Sequence, residues 1–139
     1  MKVYSHFMEE INLKYVTIRY KEPIVYMTFK AGAELGFPEM KELVAYAEKL
    51  SDKKNYVVFS DVREYVAVTA EGKKYSAQNK NSPFQKGTAV LVKNSIYKLA
   101  VNLFLGIQEP EFPYSVFTEE QKAIDWLLNL PLEDKITSQ

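Results

Sequence analysis

The stretch Lys86–Trp126 reads KGTAVLVKNSIYKLAVNLFLGIQEPEFPYSVFTEEQKAIDW, and its patterning decides the fold. Ala89–Val92 is a short apolar run, and Thr88–Val92 reads as a strand covered on both faces. Asn94 and Ser95 break the run and supply a cap for a helix. In that helix Ile96, Leu99, Ala100, Leu103, Phe104 and Ile107 repeat at i, i+3, i+4, i+7, i+8 and i+11, a stripe expected to face a sheet. Tyr97, Val101 and Leu105 form an adjacent stripe. At 100° per residue the two together span roughly 240° of the circumference. One sheet cannot cover so wide an arc. Tyr97, Val101 and Leu105 are therefore the candidate interface, to be covered by a neighbouring helix, the N-terminal arm, a partner subunit or an apolar ligand. A Pro-bracketed loop follows, then a short strand, Tyr114–Phe117. Thr118 with Gln121 reads as a capping box, and Ala123, Ile124, Trp126, Leu127 and Leu130 give a final helix its apolar face.

Working back along the chain, Lys14–Tyr20 alternates with period two, and Ile24–Phe29 is a second apolar run just beyond Pro23. The short connection predicts an antiparallel hairpin. Ala31–Gly36 reads as a loop. Phe37-Pro38-Glu39 opens a helix carrying Met40, Leu43, Val44 and Ala47, with Pro38 at its first position. Tyr56–Phe59 is another doubly covered strand. Ser60-Asp61-Val62-Arg63 lies at its carboxyl end, where open α/β sheets bind ligands. Thr69–Gln78 predicts a short helix that Gly72 weakens. The fold class expected is α/β: a mixed sheet of four to six strands, an N-terminal antiparallel hairpin followed by parallel βα units, and about four helices mainly on one side. One domain spans 1–139, with its core at 13–130, an N-terminal arm or strand at 1–12 and a frayed tail at 131–139.

At 139 residues and 47% hydrophobic content, a single core is expected to remove roughly two-thirds of the unfolded surface from water. Eighteen basic residues balance eighteen acidic ones, so bulk attraction to nucleic acid is not expected. The chain has no Cys and one His, His6. That excludes disulfides and thiolate ligands, and no paired-His metal pattern exists. No signal-like segment and no span of roughly 18 apolar residues is present, so a cytoplasmic protein is expected. Nucleophile-elbow, P-loop and dinucleotide fingerprints are all absent. Asp61, Arg63 and Thr69 make a candidate strand-end site, and carboxylates such as Asp61 are too common in α/β domains to specify catalysis. No cofactor, metal or catalytic residue is expected.

Charge is distributed unevenly. Lys73, Lys74, Lys80, Lys86, Lys93 and Lys98 occur with no acid between Gly72 and Gln108, whereas Glu109–Asp134 holds seven acids and one Lys. Lys73, Lys74, Lys93 and Lys98 are the candidate anion-binding residues. The alternative is that they form a solvated face, or the head-to-tail complement of the acidic segment in an oligomer.

Two passages resemble a known superfamily. TAVLVKNSIYKLAVNLFLGIQEPEFPYSVFTEEQKAIDWL has a strand leading into N-S-x-x-x-K-x-x-x-N-x-F-L, then a Pro loop, a strand ending in Phe117, and Ala123, Trp126 and Leu127 in an A-x-x-W-L pattern. In VVFSDVREYVAVTAEG, Asp61 resembles the acid that ends the central strand of STAS domains. From about Leu13 to Leu130 the chain resembles the STAS/SEC14-type, SpoIIAA-like superfamily, and in particular the short single-domain STAS-like proteins common in Bacteroidetes. The resemblance implies a mixed sheet, no cofactor, and a regulatory role through protein contacts. It aligns Thr69-Ala70-Glu71-Gly72 with the D-S-x-G phosphorylation motif, where Ala70 replaces the acceptor Ser. Kinase switching of that type is therefore not expected, with Thr69 or Ser60 as the remaining hydroxyls. The SEC14-like branch holds lipids under helices, but a chain this short leaves little room for a large cavity beside a packed core. The leading expectation is a non-enzymatic regulatory or protein-interaction module, self-associating as a homodimer. The alternative is a binder or sensor of a small apolar or lipid-like molecule.

Overall fold

A computed structural model describes residues 9–64, 66–107 and 109–133, with backbone only at Glu9, Phe104, Leu105 and Ile107. His6, most of the expected N-terminal arm and the last part of the expected tail lie outside the described residues. The elements run β1 (Glu9–Asn12), β2 (Val16–Lys21), β3 (Ile24–Phe29), β4 (Ala33–Leu35), α1 (Phe37–Leu50), β5 (Tyr56–Asp61), β6 (Val66–Val68), α2 (Ala70–Ser76), a short 3₁₀ turn, β7 (Gln85–Leu91), α3 (Ser95–Ile107), β8 (Tyr114–Phe117) and α4 (Glu120–Leu128).

The main sheet has six strands in the order β1-β2-β3-β5-β7-β8. The first three pair antiparallel, and β3, β5, β7 and β8 run parallel. This is the expected hairpin followed by βα units. Ala33–Leu35, read as loop, pairs in parallel with Val66–Val68 to make a two-stranded ribbon.

Side-chain alternation along β2, β3 and β5 divides the core in two. Val16, Ile18, Val25, Met27, Tyr56 and Val58 point to one face and pack with Leu43 and Ala47 of α1. Ile24, Val57 and Phe59 point to the other and, with Ala89 and Leu91 of β7, pack on Ala123 and Leu127 of α4. Three helices thus lie on the first side and α4 alone covers the second.

Helix α1 starts at Gly36, whose N–H donates to Glu39 Oε1 at 2.8 Å. Helix α2 starts at Thr69, whose Oγ1 accepts from Gly72 N at 3.0 Å. The expected capping box at α4 is not formed. Glu119 takes the cap position without a side-chain bond, and Gln121 Nε2 instead donates to Asp125 Oδ1 at 2.9 Å. The chain beyond Pro131 is not frayed at its start. Leu132 packs on the α4 core, and Asn55 Nδ2 donates to its carbonyl at 2.6 Å.

Candidate functional site

Strand β7 is the fifth of the six strands, paired on both edges between β5 and the edge strand β8, and such a parallel strand ought to be covered on both faces. On the α4 side it is: Ala89 and Leu91 are 0% and 1% exposed. On the other side Thr88 and Val90 are only half-buried. The expectation of a doubly buried strand therefore fails on that side. The reason is that α3 stands off from the sheet, leaving an apolar cavity of about 1100 Å³.

The floor of this cavity is Met27 from β3, Val58 and Ser60 from β5, Thr88 and Val90 from β7, and Tyr114 from β8. Met40, Leu43, Val44 and Ala47 of α1 form one wall. Tyr97, Ala100 and Val101 of α3 form another wall, and Phe112 from the loop also lines the space. Its volume lies just above the ordinary range for small-molecule pockets, roughly 300–1,000 Å³. A chain of this length leaves the space open because its core is concentrated beneath α1 and α4.

The phase of α3 differs from the expected one. Tyr97 and Val101, assigned to the uncovered stripe, line the cavity beside Ala100 of the sheet-facing stripe, with Tyr97 at its edge and 50% exposed. Ile96, Leu99 and Leu103, assigned to the sheet, are 78%, 62% and 65% exposed. Asn94 fixes this phase: its Oδ1 accepts from Ile96 N at 3.0 Å and Tyr97 N at 3.1 Å. The Leu105 side chain, the third member of the candidate interface, lies outside the described residues.

At the carboxyl end of β5, Asp61 is 7% exposed. Its Oδ1 accepts from Arg63 N at 3.1 Å and Arg63 Nε at 3.0 Å, and its Oδ2 accepts from Arg63 Nη2 at 2.7 Å. This bidentate pair is a strong, geometrically specific contact. The hydrogen bond to Asp61 raises the pKa of the Arg63 guanidinium further. Arg63 Nη2 also lies 4.0 Å from Glu120 Oε1. The pair borders the cavity on one side and a smaller polar cleft beside Arg19, Tyr26 and α4 on the other. There is thus a cleft at Asp61, but both carboxylate oxygens are engaged. Burial, and secondarily Glu120, pushes the Tyr26 hydroxyl pKa up.

The third strand-end candidate, Thr69, spends its hydroxyl on the α2 cap. The residue aligned with the motif glycine, Gly72, has a packing role that its reading as a helix weakener missed. A Cβ there would sit 2.5 Å from Leu35 O, so only glycine lets α2 approach the β4 backbone. Of the four candidate lysines, Lys73 and Lys93 line the cavity. Lys74 and Lys98 are exposed outside it. Among the described residues no group of three or more His, Cys, Asp or Glu could hold a metal ion. No helix there is long and apolar enough to cross a membrane.

A mixed sheet with three helices on one side and a final helix on the other is the SpoIIAA-like fold. The chain superposes on the crystal structure of an uncharacterized DUF3478-family protein with a SpoIIAA-like fold from Shewanella loihica PV-4. The TM-score is 0.52 at 17% identity, covering 81% of this chain and 91% of that one. The fold expected from the STAS-type resemblance is therefore present. By sequence, residues 18–130 match a domain of unknown function, DUF7793, and the chain belongs to that family. No curated protein matches.

Proposed function

We propose that this protein is a non-enzymatic STAS-like module that holds a small apolar molecule in the cavity between α1, α3 and the sheet. One observation carries the reading: Thr88 and Val90, on the inner strand β7, are left half-buried under about 1100 Å³ of apolar-walled space. A domain of this size ordinarily fills such space with its own side chains, at near-crystalline density. Ser60 and Thr88 on the floor are uncharged hydrogen-bonding groups suited to orienting one polar end of a ligand, and the charged groups Asp61, Arg63, Lys73 and Lys93 also line the space. Asp61 supports the non-enzymatic part, since the Arg63 fork occupies both of its oxygens.

A second reading, a docking module, is favoured by the outward strip Ile96, Leu99 and Leu103. The two are compatible, because α3 carries the cavity wall on one side and the strip on another. A regulatory role would follow if the occupied cavity changed how α3 presents that strip.

Fluorescence titration with N-phenyl-1-naphthylamine tests the cavity. Saturable, blue-shifted binding is expected, together with a copurifying small molecule in native mass spectra of protein prepared without detergent. Absence of both would remove the ligand reading.

A further inference from the structure

Four of the six large hydrophobic side chains exposed among the described residues belong to α3: Ile96, Tyr97, Leu99 and Leu103. Tyr97 stands at the cavity edge. The other three lie at i, i+3 and i+7 along one flank of the helix and form a continuous apolar strip. Lys93 just before the helix and Lys98 within it are both exposed. No acid occurs on α3 or anywhere from Gly72 to Gln108. The strip is therefore apolar with a cationic border.

A second copy of the chain fits this strip poorly. Two α3 strips facing each other across a two-fold axis would offer no negative charge to Lys93 and Lys98 of either copy, because α3 carries no acid. A head-to-tail contact would place α3 against the acidic α4 side. That side has Glu119, Glu120 and Asp125 to meet the lysines, but Leu128 is its only large hydrophobic exposed to water among the described residues. Charge would be complementary, but apolar area would not.

We infer that α3 docks on the surface of a bilayer containing anionic lipid. Ile96, Leu99 and Leu103 enter the boundary between headgroups and acyl chains, and Lys93 and Lys98 meet the anionic headgroups. The surface supplies both an apolar layer and negative charge. The acidic α4 side, across the sheet, then faces away from the membrane. The inference deepens the cavity reading and rests on it for one point: a ligand held beneath α3 has low solubility in water, and a bilayer is where such a molecule resides. The docking surface itself does not depend on the cavity.

Flotation of the whole chain with vesicles tests the inference. Vesicles of phosphatidylcholine alone are compared with equimolar phosphatidylcholine and phosphatidylglycerol. The protein is expected to float with the anionic vesicles, and less so as salt is raised. Leu103→Lys should weaken binding by about tenfold or more, the effect of removing one buried leucine. Lys98→Gln should weaken it by about fivefold on anionic vesicles only, the share of one juxtamembrane cation. Both sites are exposed, so both variants should keep the wild-type melting curve. Failure to float with anionic vesicles overturns the inference, and so does flotation that Leu103→Lys leaves unchanged. A dimer that Leu103→Lys dissociates, without flotation of the wild type, assigns the strip to a second copy instead. Probe binding in solution separates the two readings. Flotation without N-phenyl-1-naphthylamine binding leaves the docking surface and removes the cavity ligand.

Discussion

Substitution of Val90 by Phe gives the cavity its sharpest test, because the neighbouring residue on the same strand must respond in the opposite sense. Val90 is half-buried on the cavity floor, and Ala89 is fully buried against α4. Val90→Phe adds roughly 50 Å³ of apolar side chain, and at about 24 cal/mol per Å³ of cavity filled this is a gain of about 1 kcal/mol. The space available, about 1100 Å³, is many times larger than the addition, so no strain opposes it. For a chain of this length the gain corresponds to a rise of about 4 °C in melting temperature. Ala89→Phe adds far more volume where none is free and should cost about 3 kcal/mol or more. Urea unfolding at constant m value measures both. Val90→Phe should also weaken N-phenyl-1-naphthylamine binding, because the ring takes part of the floor. If Val90→Phe instead destabilises the protein by about 1 kcal/mol with m unchanged, that face of β7 is packed in solution and the cavity reading is wrong.

Three further outcomes follow from the local geometry. Gly72→Ala sets a Cβ 2.5 Å from the Leu35 carbonyl oxygen, backbone that cannot rotate away. It should cost about 2–3 kcal/mol in urea unfolding, where the same change in an ordinary exposed helix would gain up to about 1 kcal/mol. Arg63→Gln strips the fork from a carboxylate that is 7% exposed. A loss of about 1–3 kcal/mol is expected, and adding Asp61→Asn should recover part of it. If the double variant is as unstable as the sum of the singles, the pair is not coupled. Burial raises the hydroxyl pKa values of Tyr15, Tyr20, Tyr26 and Tyr56 above their ordinary value. The unfolded chain then loses these protons from about pH 10 while the folded chain retains them, so stability is full below that pH and falls as pH rises beyond it. Urea midpoints across pH 8 to 11, with tyrosinate absorbance, would show this. Ionisation of all ten tyrosines near pH 10 without unfolding would refute it.

The parts of the fold legible in the sequence were those set by local chemistry. Alternation in Lys14–Tyr20 and the apolar runs at Tyr56–Phe59 and Ala89–Val92 mark β2, β5 and β7, because side-chain period follows backbone geometry. Pro38 marks the start of α1, where it takes the second position rather than the first, because its fixed φ and missing N–H suit the first turn of a helix. The β4–β6 ribbon was hidden because each strand is three residues long and owes its form to a partner over thirty residues away. Gly72 could not be read correctly from its own segment, since what demands glycine there is the Leu35 carbonyl on another element. The Asp61–Arg63 pair was legible as an address, the end of a central strand, but not as a closed fork with both oxygens taken.

The α3 phase shows a different kind of limit. Periodicity reports how wide an apolar arc is, not which part of it turns inward. With roughly two-thirds of the circumference apolar, either stripe satisfies the pattern. The choice is made where the helix joins the strand. Val92 is held in the sheet through its N–H bond to the Phe117 carbonyl at 2.9 Å. Only Lys93 and Asn94 separate it from the first helical residue, and Asn94 Oδ1 pins the N–H groups of Ile96 and Tyr97. Two residues between two fixed points leave little freedom in helix phase, and that phase turns Tyr97 and Val101 inward. The excess apolar arc then has to face outward as Ile96, Leu99 and Leu103. The cavity and the exposed strip are consequences of one helix whose sequence is apolar on two sides. A substitution that makes only the outer flank polar should therefore abolish docking while leaving the cavity intact, and this separates a surface selected for contact from a helix that is simply too hydrophobic.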